Sequence, residues 1–368
     1  MTAVHVSHDL RISTPGRVCL FGEHQDYLGL PVIPCAISLR IAMDAARIPA
    51  REVRIHLPDI GREERFALTG RVPYTVERDY FRSAVNVMLR HGYTFSGGIE
   101  AVVHGEIPIN AGTSSSSALV VTWIGVLARL SEQQASLDPD ACAKLAHEAE
   151  VLEFGEPGGM MDHFSTAYGG VISIEFQPEV TVRPLPASLK TFVLGDSREP
   201  KDTKGILARV KDRVVDATRL LCADHRSFTL QTAEESDLDA VASILEPSQI
   251  RLLRGTLRNR TITGTALKLL QETAVDHRAV GRLLTEHQAV LRDVLGISTP
   301  KIDRMLDAAL KAGAAGGKIN GSGGGGCMFA YAPEHPERVA EAIEREGGRA
   351  YVITADVGTR AETKEVPD

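Results

Sequence analysis

The stretch PGRVCLFGEHQDYLG, at residues 15–29, carries the most information about the fold of this chain. Residues 17–21 have the apolar and β-branched content of a short strand, and two glycines bound the polar loop that follows. The loop holds Glu23, His24 and Asp26, whose carboxylates accept hydrogen bonds and whose imidazole donates or accepts one. These three side chains either converge on a hydroxyl-rich ligand or belong to an ordinary solvated turn.

A second stretch, PINAGTSSSSA at residues 108–118, leads directly into an apolar segment with the length of a helix. We expect that helix to span residues 112–130. Free N–H groups at the start of a helix bind anions, helped by the helix dipole, and small residues let the backbone approach a ligand. A serine hydroxyl can also ligate Mg²⁺, or one serine can simply be an N-cap. Four consecutive serines exceed what capping needs, so the pattern favours a phosphate-binding loop.

The third stretch, GAAGGKINGSGGGGC at residues 313–327, is dense in glycine. It contains a formal GxGxxG at residues 321–326, but a predicted strand follows where a dinucleotide-binding fingerprint would open a helix. Lys318 is followed by Ile319 rather than Ser or Thr, which also excludes a P-loop. The stretch is therefore either a tight chain crossing or a glycine wall beside a ligand.

A fourth cluster combines Glu150 with GEPGGMMD at residues 155–162. It places the carboxylate of Asp162 just beyond a Gly-Pro turn. That carboxylate is either a functional group or an ordinary helix cap.

Length and composition limit the classes of protein to consider. At about 150 residues per domain, 368 residues indicate two or three domains. The net charge of −7 argues against a protein that coats nucleic acid. The apolar run at residues 117–130 is too short to span a bilayer, and residues 1–13 lack the features of a secretory signal. Five scattered cysteines indicate reduced thiols and neither a disulfide framework nor a zinc site. We expect a cytoplasmic protein that binds neither nucleic acid nor membrane.

The order of predicted elements indicates an α+β protein. Strands and helices are mixed up to a boundary near residue 187, and residues 202–312 read as mainly helical before strands return. We therefore predict two domains, at residues 1–187 and 188–368, and a helix at 138–154 within the first.

Taken in order, the four clusters resemble the GHMP kinases, the family of galactokinase, homoserine, mevalonate and phosphomevalonate kinases. The first stretch is most similar to the galactokinase signature through its Gly-Arg-Val, Gly-Glu-His and Asp-Tyr. Mevalonate kinases share the Gly-Glu-His but normally lack the Asp-Tyr, and galactokinases usually have Asn where this chain has Cys19. The resemblance implies an N-terminal domain of ribosomal-S5 type and a ferredoxin-like C-terminal domain, with the active site between them.

The resemblance also implies the catalytic and substrate-binding residues. Asp162 matches the catalytic aspartate, and Arg17 matches its basic partner. The residues that match the sugar-binding positions are Glu23, His24, Asp26 and Gly159. Asp196, Ser197 and residues 201–204 follow a strand on the cleft side by the same resemblance, so one of them is expected to contact substrate.

ATP and Mg²⁺ are the implied cofactors. Ser116 and Glu150 match the metal ligands of the family. The residues that match its nucleotide-binding loops are Gly112, Thr113, Ser114, Ser115, Ser116, Gly321, Gly323 and Gly324.

The expected function is that of a galactokinase-like kinase, which phosphorylates the anomeric hydroxyl of galactose or a related neutral sugar. Asp162 would either accept the hydroxyl proton or position the reactants electrostatically, and Arg17 would keep Asp162 ionised. Alternative acceptors are a heptose phosphate, arabinose, a uronic acid and mevalonate. A non-catalytic sensor that binds ATP and sugar is an alternative of a different class. We expect a monomer or a homodimer.

Overall fold

The computed structural model describes residues 10–109, 111–156, 158–201, 205–206, 208–224, 228–240 and 243–363. Its strands are β1 (Leu10–Phe21), β2 (Ile33–Ile48), β3 (Glu52–Leu57), β4 (Arg62–Ala67), β5 (Gly98–Gly105), β6 (Ile172–Glu175), β7 (Thr181–Pro184), β8 (Phe192–Asp196), β9 (Gly316–Ile319), β10 (Cys327–Tyr331), β11 (Arg349–Ile353) and β12 (Arg360–Thr363). Its α-helices are α1 (Tyr80–Arg90), α2 (Ser115–Leu130), α3 (Pro139–Glu150), α4 (Met161–Tyr168), α5 (Arg213–Asp224), α6 (Asp237–Ala240), α7 (Pro247–Leu270), α8 (His277–Asp293), α9 (Pro300–Lys311) and α10 (Pro336–Arg345).

The first sheet has six strands in the order β12-β1-β2-β5-β3-β4. Helices α2 and α4 pack on β1, and α1 and α3 pack on α2. Trp123 of α2 is buried in this core, where its indole N–H donates to the carbonyl of Phe81 at 3.1 Å. The apolar run of α2 is therefore a core helix that carries the serine-rich loop at its start.

The end of the described chain returns to this first sheet. Strand β12 pairs antiparallel with β1, for example Leu10 with Thr363. The predicted second domain includes all of residues 188–368, and that range stays a prediction, although its last strand returns to the first sheet. No local pattern indicates this pairing, because strand pairing between distant segments depends on tertiary packing. The boundary near residue 187 stays a prediction.

The second sheet has four antiparallel strands in the order β11-β8-β10-β9. Numbered along the chain, this order is 4-1-3-2, the arrangement of a ferredoxin-like split βαβ pair. Helices α8, α9 and α10 pack against this sheet, and α7 packs on α8. The predicted α+β class and the ferredoxin-like C-terminal sheet are confirmed.

Two helices of the first half differ from their predicted bounds. Helix α2 begins at Ser115 rather than at residue 112, because Gly112 and Ser114 have φ values of +87° and +61° that no right-handed helix accepts. The helix predicted at 138–154 ends at Glu150 and continues as a 3₁₀ turn, Leu152–Phe154. Residues 112–114, before α2, and residues 151–154, after α3, therefore lie outside the two α-helices and close to the candidate site.

All five cysteines have free thiols. Cys327 begins β10 and is fully buried, as expected for a packing residue. Each helix in the described part of the chain is either too short or too polar to span a lipid bilayer.

Candidate active site

Arg17 and Asp162 are in direct contact, as the resemblance implied, and their catalytic role stays a prediction. Arg17 lies on β1 and Asp162 in the first turn of α4, and the guanidinium holds one carboxylate oxygen through Nε at 2.8 Å and Nη2 at 2.7 Å. Burial disfavours the charge on Asp162, but Arg17 outweighs it and holds the pKa of this carboxyl below its usual value. Arg17 also donates to the carbonyl of Gly112 at 2.5 Å. The arginine therefore joins the aspartate to the start of the serine loop.

Asp26 is the second carboxylate of the site. It opens a 3₁₀ turn, Asp26–Leu28, and forms no ion pair with the rest of the described chain. Burial, together with the nearby charge of Asp162, raises the pKa of Asp26 to about 6. Asp26 and Asp162 thus form two neighbouring carboxylates, of which only Asp162 is bonded to a cation.

Gly159 lies directly against Asp26. A Cβ atom at this glycine would come within 1.9 Å of Oδ2 of Asp26, so only glycine leaves room for the carboxylate. The structure therefore brings together two of the residues predicted to bind substrate, although their contact with a substrate stays a prediction.

We expect Gly159→Ala to raise the KM for the acceptor by roughly tenfold or more, because the new methyl group must displace the Asp26 carboxylate and lost contacts of this kind cost about 1–3 kcal/mol. The KM for ATP should change little. Steady-state kinetics with each substrate varied in turn measures both constants. Gly158→Ala is the matched control, since its Cβ would meet Val151 at 3.3 Å and not Asp26. Equal effects of the two variants would contradict this account.

Glu23 has a partner that the sequence did not reveal. Its Oε2 accepts a 2.5 Å bond from Nζ of Lys318, and both side chains are almost completely buried. The same ammonium donates to the carbonyls of Cys19 at 2.8 Å and Ile319 at 2.9 Å and lies over the ring of Phe329. Lys318, dismissed above as part of a failed P-loop, is therefore a buried ionic link between β1, the Glu23 loop and β9. That Glu23 binds substrate stays a prediction.

His24 is also held by protein atoms. Its Nδ1 is 2.7 Å from the hydroxyl of Tyr27, and its Nε2 is 3.0 Å from the carbonyl of Ser322 in the glycine-rich loop. Burial lowers the pKa of this histidine. The His24 ring therefore connects the loop after β1 to the glycine-rich loop. That His24 binds substrate stays a prediction.

The serine loop has the properties of an anion site. Oγ1 of Thr113 and Oγ of Ser114 are buried and have no hydrogen-bond partner of ordinary geometry in the described chain, and the Ser114 hydroxyl faces Asp162, where it helps to lower the pKa of that carboxyl. Ser114 is the N-cap of α2, but its hydroxyl does not cap the helix, so the capping interpretation of this serine is excluded. Two orphaned hydroxyls beside the N-terminus of a sixteen-residue helix are donors placed for an anionic ligand. The predicted nucleotide-binding role of residues 112–116 fits this geometry.

The glycine-rich loop crosses the start of the serine loop closely. Asn320 accepts from the N–H of Cys19 at 2.9 Å and donates to the carbonyl of Gly112 at 2.8 Å. The N–H of Cys327 donates to the carbonyl of Ala111 at 2.8 Å. The site lies where the two halves of the chain meet, and Asn320 is a residue of that junction that the sequence did not single out.

Of the two interpretations left open for the glycines, the structure favours the tight crossing at least for Gly323 and Gly324. Gly323 packs on Ile297, where a Cβ would come within 2.6 Å of the Ile297 carbonyl oxygen, and Gly324 N–H donates to that carbonyl at 2.7 Å. Gly321 differs because it lies beside Gly112, at the serine loop. Nucleotide contact by these three glycines stays a prediction.

Glu150 lies at the end of α3, beside the serine loop. Its Oε2 accepts a hydrogen bond from Nε2 of His163 at 2.7 Å. Burial alone would raise the pKa of Glu150. His163 and the hydroxyls of Ser116 and Ser117 outweigh burial, so the pKa of Glu150 is lowered. Among the described residues no group of three His, Cys, Asp or Glu side chains is placed to hold a metal. One carboxylate and one hydroxyl fit Mg²⁺, which takes one or two protein ligands together with phosphate oxygens and water.

Three family models match this chain. The model described as the GHMP kinases N terminal domain matches residues 79–170, and the model of the GHMP kinases C terminal matches residues 266–350. The galactokinase galactose-binding signature matches residues 4–47. The three matches include Glu23, Glu150 and Asp162, and therefore most of the candidate site.

Individual relatives cover nearly the whole chain. A mevalonate kinase of Pyrococcus furiosus is 30% identical over 349 residues, which are 92% of this chain and 94% of that protein. A galactokinase of the same organism is 26% identical over 344 residues, or 92% and 93% of the two chains. The crystal structure of Lactococcus lactis galactokinase complexed with galactose superposes with a TM-score of 0.83 at 23% identity, over 96% of this chain and 95% of that one.

Proposed function

Because this chain belongs to the GHMP kinases, and is therefore an ATP-dependent phosphotransferase that acts on a hydroxyl group, we propose that its acceptor is the anomeric hydroxyl of a neutral sugar, galactose or a close relative. The acceptor and the role of each residue are the proposed part.

In the proposed reaction the sugar oxygen attacks the γ-phosphorus of ATP. The new O–P bond forms as the bond between that phosphorus and the bridging oxygen to the β-phosphate breaks, and ADP leaves with the electron pair. The hydroxyl proton passes to the carboxylate of Asp162 and from there to solvent. Because there is little other covalent chemistry in this transfer, the protein contributes mainly alignment and neutralisation of charge. Arg17 serves both needs, since it keeps Asp162 ionised and brings a cation to the serine loop.

The observation that carries the choice of acceptor is the environment of Asp26. This carboxylate accepts hydrogen bonds only, lies beside Asp162 and is not ion-paired within the described chain. Adjacent hydroxyls of a neutral sugar can donate to it without adding charge. An acceptor with its own carboxylate here would add a third negative charge to a pair of carboxylates that already repel each other.

Mg²⁺ is the proposed second cofactor. Ser116 and Glu150 would hold it, and the ion would neutralise charge on the β- and γ-phosphates. His163, through its 2.7 Å bond to Glu150, orients that carboxylate.

The ionisation of Asp26 predicts a pH profile. Since a pKa of about 6 means that Asp26 is protonated at lower pH, kcat/KM for the sugar should fall about tenfold per unit below pH 6 and be level above it. Asp162 should not contribute to this acidic limb of the pH profile, because its pKa lies below the usual value of an aspartate. Initial rates at low sugar concentration between about pH 4.5 and 8 give the profile. Asp26→Asn should remove the limb, and a limb that persists in this variant would assign it to another group.

The proposal is tested by ADP release from Mg-ATP with a panel of acceptors: galactose, galactosamine, glucose, mannose, arabinose, glucuronate, galacturonate, a heptose 7-phosphate and mevalonate. Galactose or another neutral sugar should have the highest kcat/KM. A charged acceptor as the best substrate would overturn the argument from Asp26. Binding of ATP and galactose without turnover of any acceptor would indicate a sensor.

Mevalonate is the second candidate acceptor. It is favoured by the mevalonate kinase of Pyrococcus furiosus, which at 30% is more similar in sequence than the galactokinase at 26%. The Asp26-Tyr27 pair of the first loop and the match of residues 4–47 to the galactose-binding signature favour a sugar instead.

A further inference from the structure

Lys201 approaches the candidate site from the second half of the chain. It follows β8 in the segment where the sequence predicted a substrate contact, of which residues 202–204 lie outside the described residues. The preceding residues are tied to the glycine-rich loop. Ser197 donates through its hydroxyl to the carbonyl of Gly326 at 2.6 Å, and Gly326 N–H donates to the carbonyl of Glu199 at 3.1 Å. The Glu199 carboxylate in turn accepts from Thr299 at 2.6 Å. The backbone that presents Lys201 is therefore held in place.

The ammonium group of Lys201 occupies the space that two glycines leave open. A Cβ atom would lie 3.3 Å from Nζ if built on Gly112 and 3.2 Å if built on Gly321. Nζ thus lies where the serine loop and the glycine-rich loop cross. Gly112 is also the residue whose carbonyl Arg17 holds, so two cations reach the same glycine from different parts of the chain.

Lys201 has no hydrogen-bond or ion-pair partner in the part of the chain that the structure describes, although its side chain is largely shielded from solvent. Burial and the positive charge of Arg17 both lower its pKa, while Asp162 and Glu23 act in the opposite direction. Glu23 is already paired with Lys318, and Asp162 with Arg17. A shielded ammonium beside another cation is costly unless an anion binds between them.

The surroundings define which anion fits. The orphaned hydroxyls of Thr113 and Ser114 belong to the same loop, on the side where ATP phosphates are proposed to bind. Asp162, the proposed acceptor of the hydroxyl proton, is an electrostatic neighbour of Lys201. An anion in contact with Lys201 therefore lies between the phosphate loop and the reacting hydroxyl, which is the position of the group in transfer.

We propose that Lys201 is a further catalytic residue, whose ammonium contacts the γ-phosphoryl group of ATP as it passes to the acceptor. The inference rests on the proposed roles of Arg17, Asp162 and the serine loop, but not on the identity of the acceptor. Because Lys201 and the serine loop come from different halves of the chain, the complete cation set exists only when the two halves are packed as observed. A cation placed at the transferring group contributes most where charge develops in the transition state.

The test compares Lys201→Met with Lys144→Met, which removes an exposed lysine that pairs with Asp140 on α3. With the best acceptor, Lys201→Met should lower kcat by roughly 10²–10³-fold and Lys144→Met by less than about twofold. Lys201→Arg, which keeps the charge, should recover at least about tenfold of that loss. The Tm of Lys201→Met should be equal to or above that of the unaltered protein, because the ammonium has no partner to lose. A structural role would instead lower the Tm.

A binding measurement separates this inference from the proposed function, because it needs no acceptor. Calorimetric titration with Mg-ADP and with a non-hydrolysable Mg-ATP analogue gives the ratio of the two dissociation constants. The unaltered protein should prefer the triphosphate, and Lys201→Met should lose at least about fivefold of that preference with its ADP affinity unchanged. An unchanged ratio, or a kcat close to that of the unaltered protein, would overturn the inference. Failure of every sugar to react would overturn only the proposed acceptor.

Discussion

Replacing Asp162 by Asn is expected to lower kcat by roughly 10³-fold, within the range of 10²–10⁴ that positioned acid–base groups contribute. The amide keeps the shape of the side chain and an oxygen that can still accept from Arg17, but it cannot take the hydroxyl proton. Arg17 also loses the charge that it neutralises at 2.7 Å. The KM for ATP should stay within about threefold, since Asp162 acts on the acceptor side of the reaction. ADP release at saturating acceptor measures the effect.

The chain offers a matched control for this variant. Asp356 pairs with Arg40 at the same 2.7 Å distance and with a similarly exposed carboxylate, but outside the site. Asp356→Asn should change kcat by less than about twofold, in line with the small contribution of a partly exposed pair. If Asp162→Asn retained more than about a tenth of the activity, Asp162 would not be the proton acceptor.

The largest expected effect on stability comes from Lys318→Met. This change leaves the carboxylate of Glu23 buried without its cation and should lower the free energy of unfolding by about 3–5 kcal/mol. Three other interactions are lost at the same time, namely the bonds to two backbone carbonyls and the contact with the ring of Phe329. Urea denaturation followed by circular dichroism at about pH 7.5 gives the value.

A double variant shows whether the loss comes from the unpaired charge. Glu23→Gln in the Lys318→Met background removes the uncompensated carboxylate and should restore at least about half of the lost stability. Glu23→Gln alone should also destabilise, because the ammonium of Lys318 then lacks its counterion. Additive losses in the double variant would mean that the two residues do not act as a pair, contrary to the 2.5 Å contact between them.

Much of the fold was predictable because each motif has a local signal. A strand that ends in a polar loop, a serine run before an apolar helix and a carboxylate after a Gly-Pro turn each correspond to an element of the structure. The contact between Arg17 and Asp162 joins residues 145 positions apart, and only the resemblance to the family predicted it. The bounds of helix α4 were not predicted, because its eight residues are too few for a clear helical period.

The junction between the two halves was not predictable from local pattern. Lys318 bonds to the carbonyl of Cys19, 299 positions away, and Asn320 to its N–H, 301 positions away. A lysine among glycines is ordinarily exposed, since charged side chains are almost never fully buried unless they are paired. Two signals together would have indicated this pair. They are Glu23 just after an apolar strand and Lys318 as the one charged residue between residues 313 and 327.

The most direct test of the neutral-sugar acceptor is a competition between two substrates. Equimolar galactose and mevalonate are incubated with a limiting amount of Mg-ATP, and the products are identified by ³¹P NMR. The account predicts that nearly all of the transferred phosphorus appears as a sugar 1-phosphate, whose signal is split by the anomeric proton. Phosphomevalonate as the main product would contradict the assignment of Asp26 to a neutral polyol.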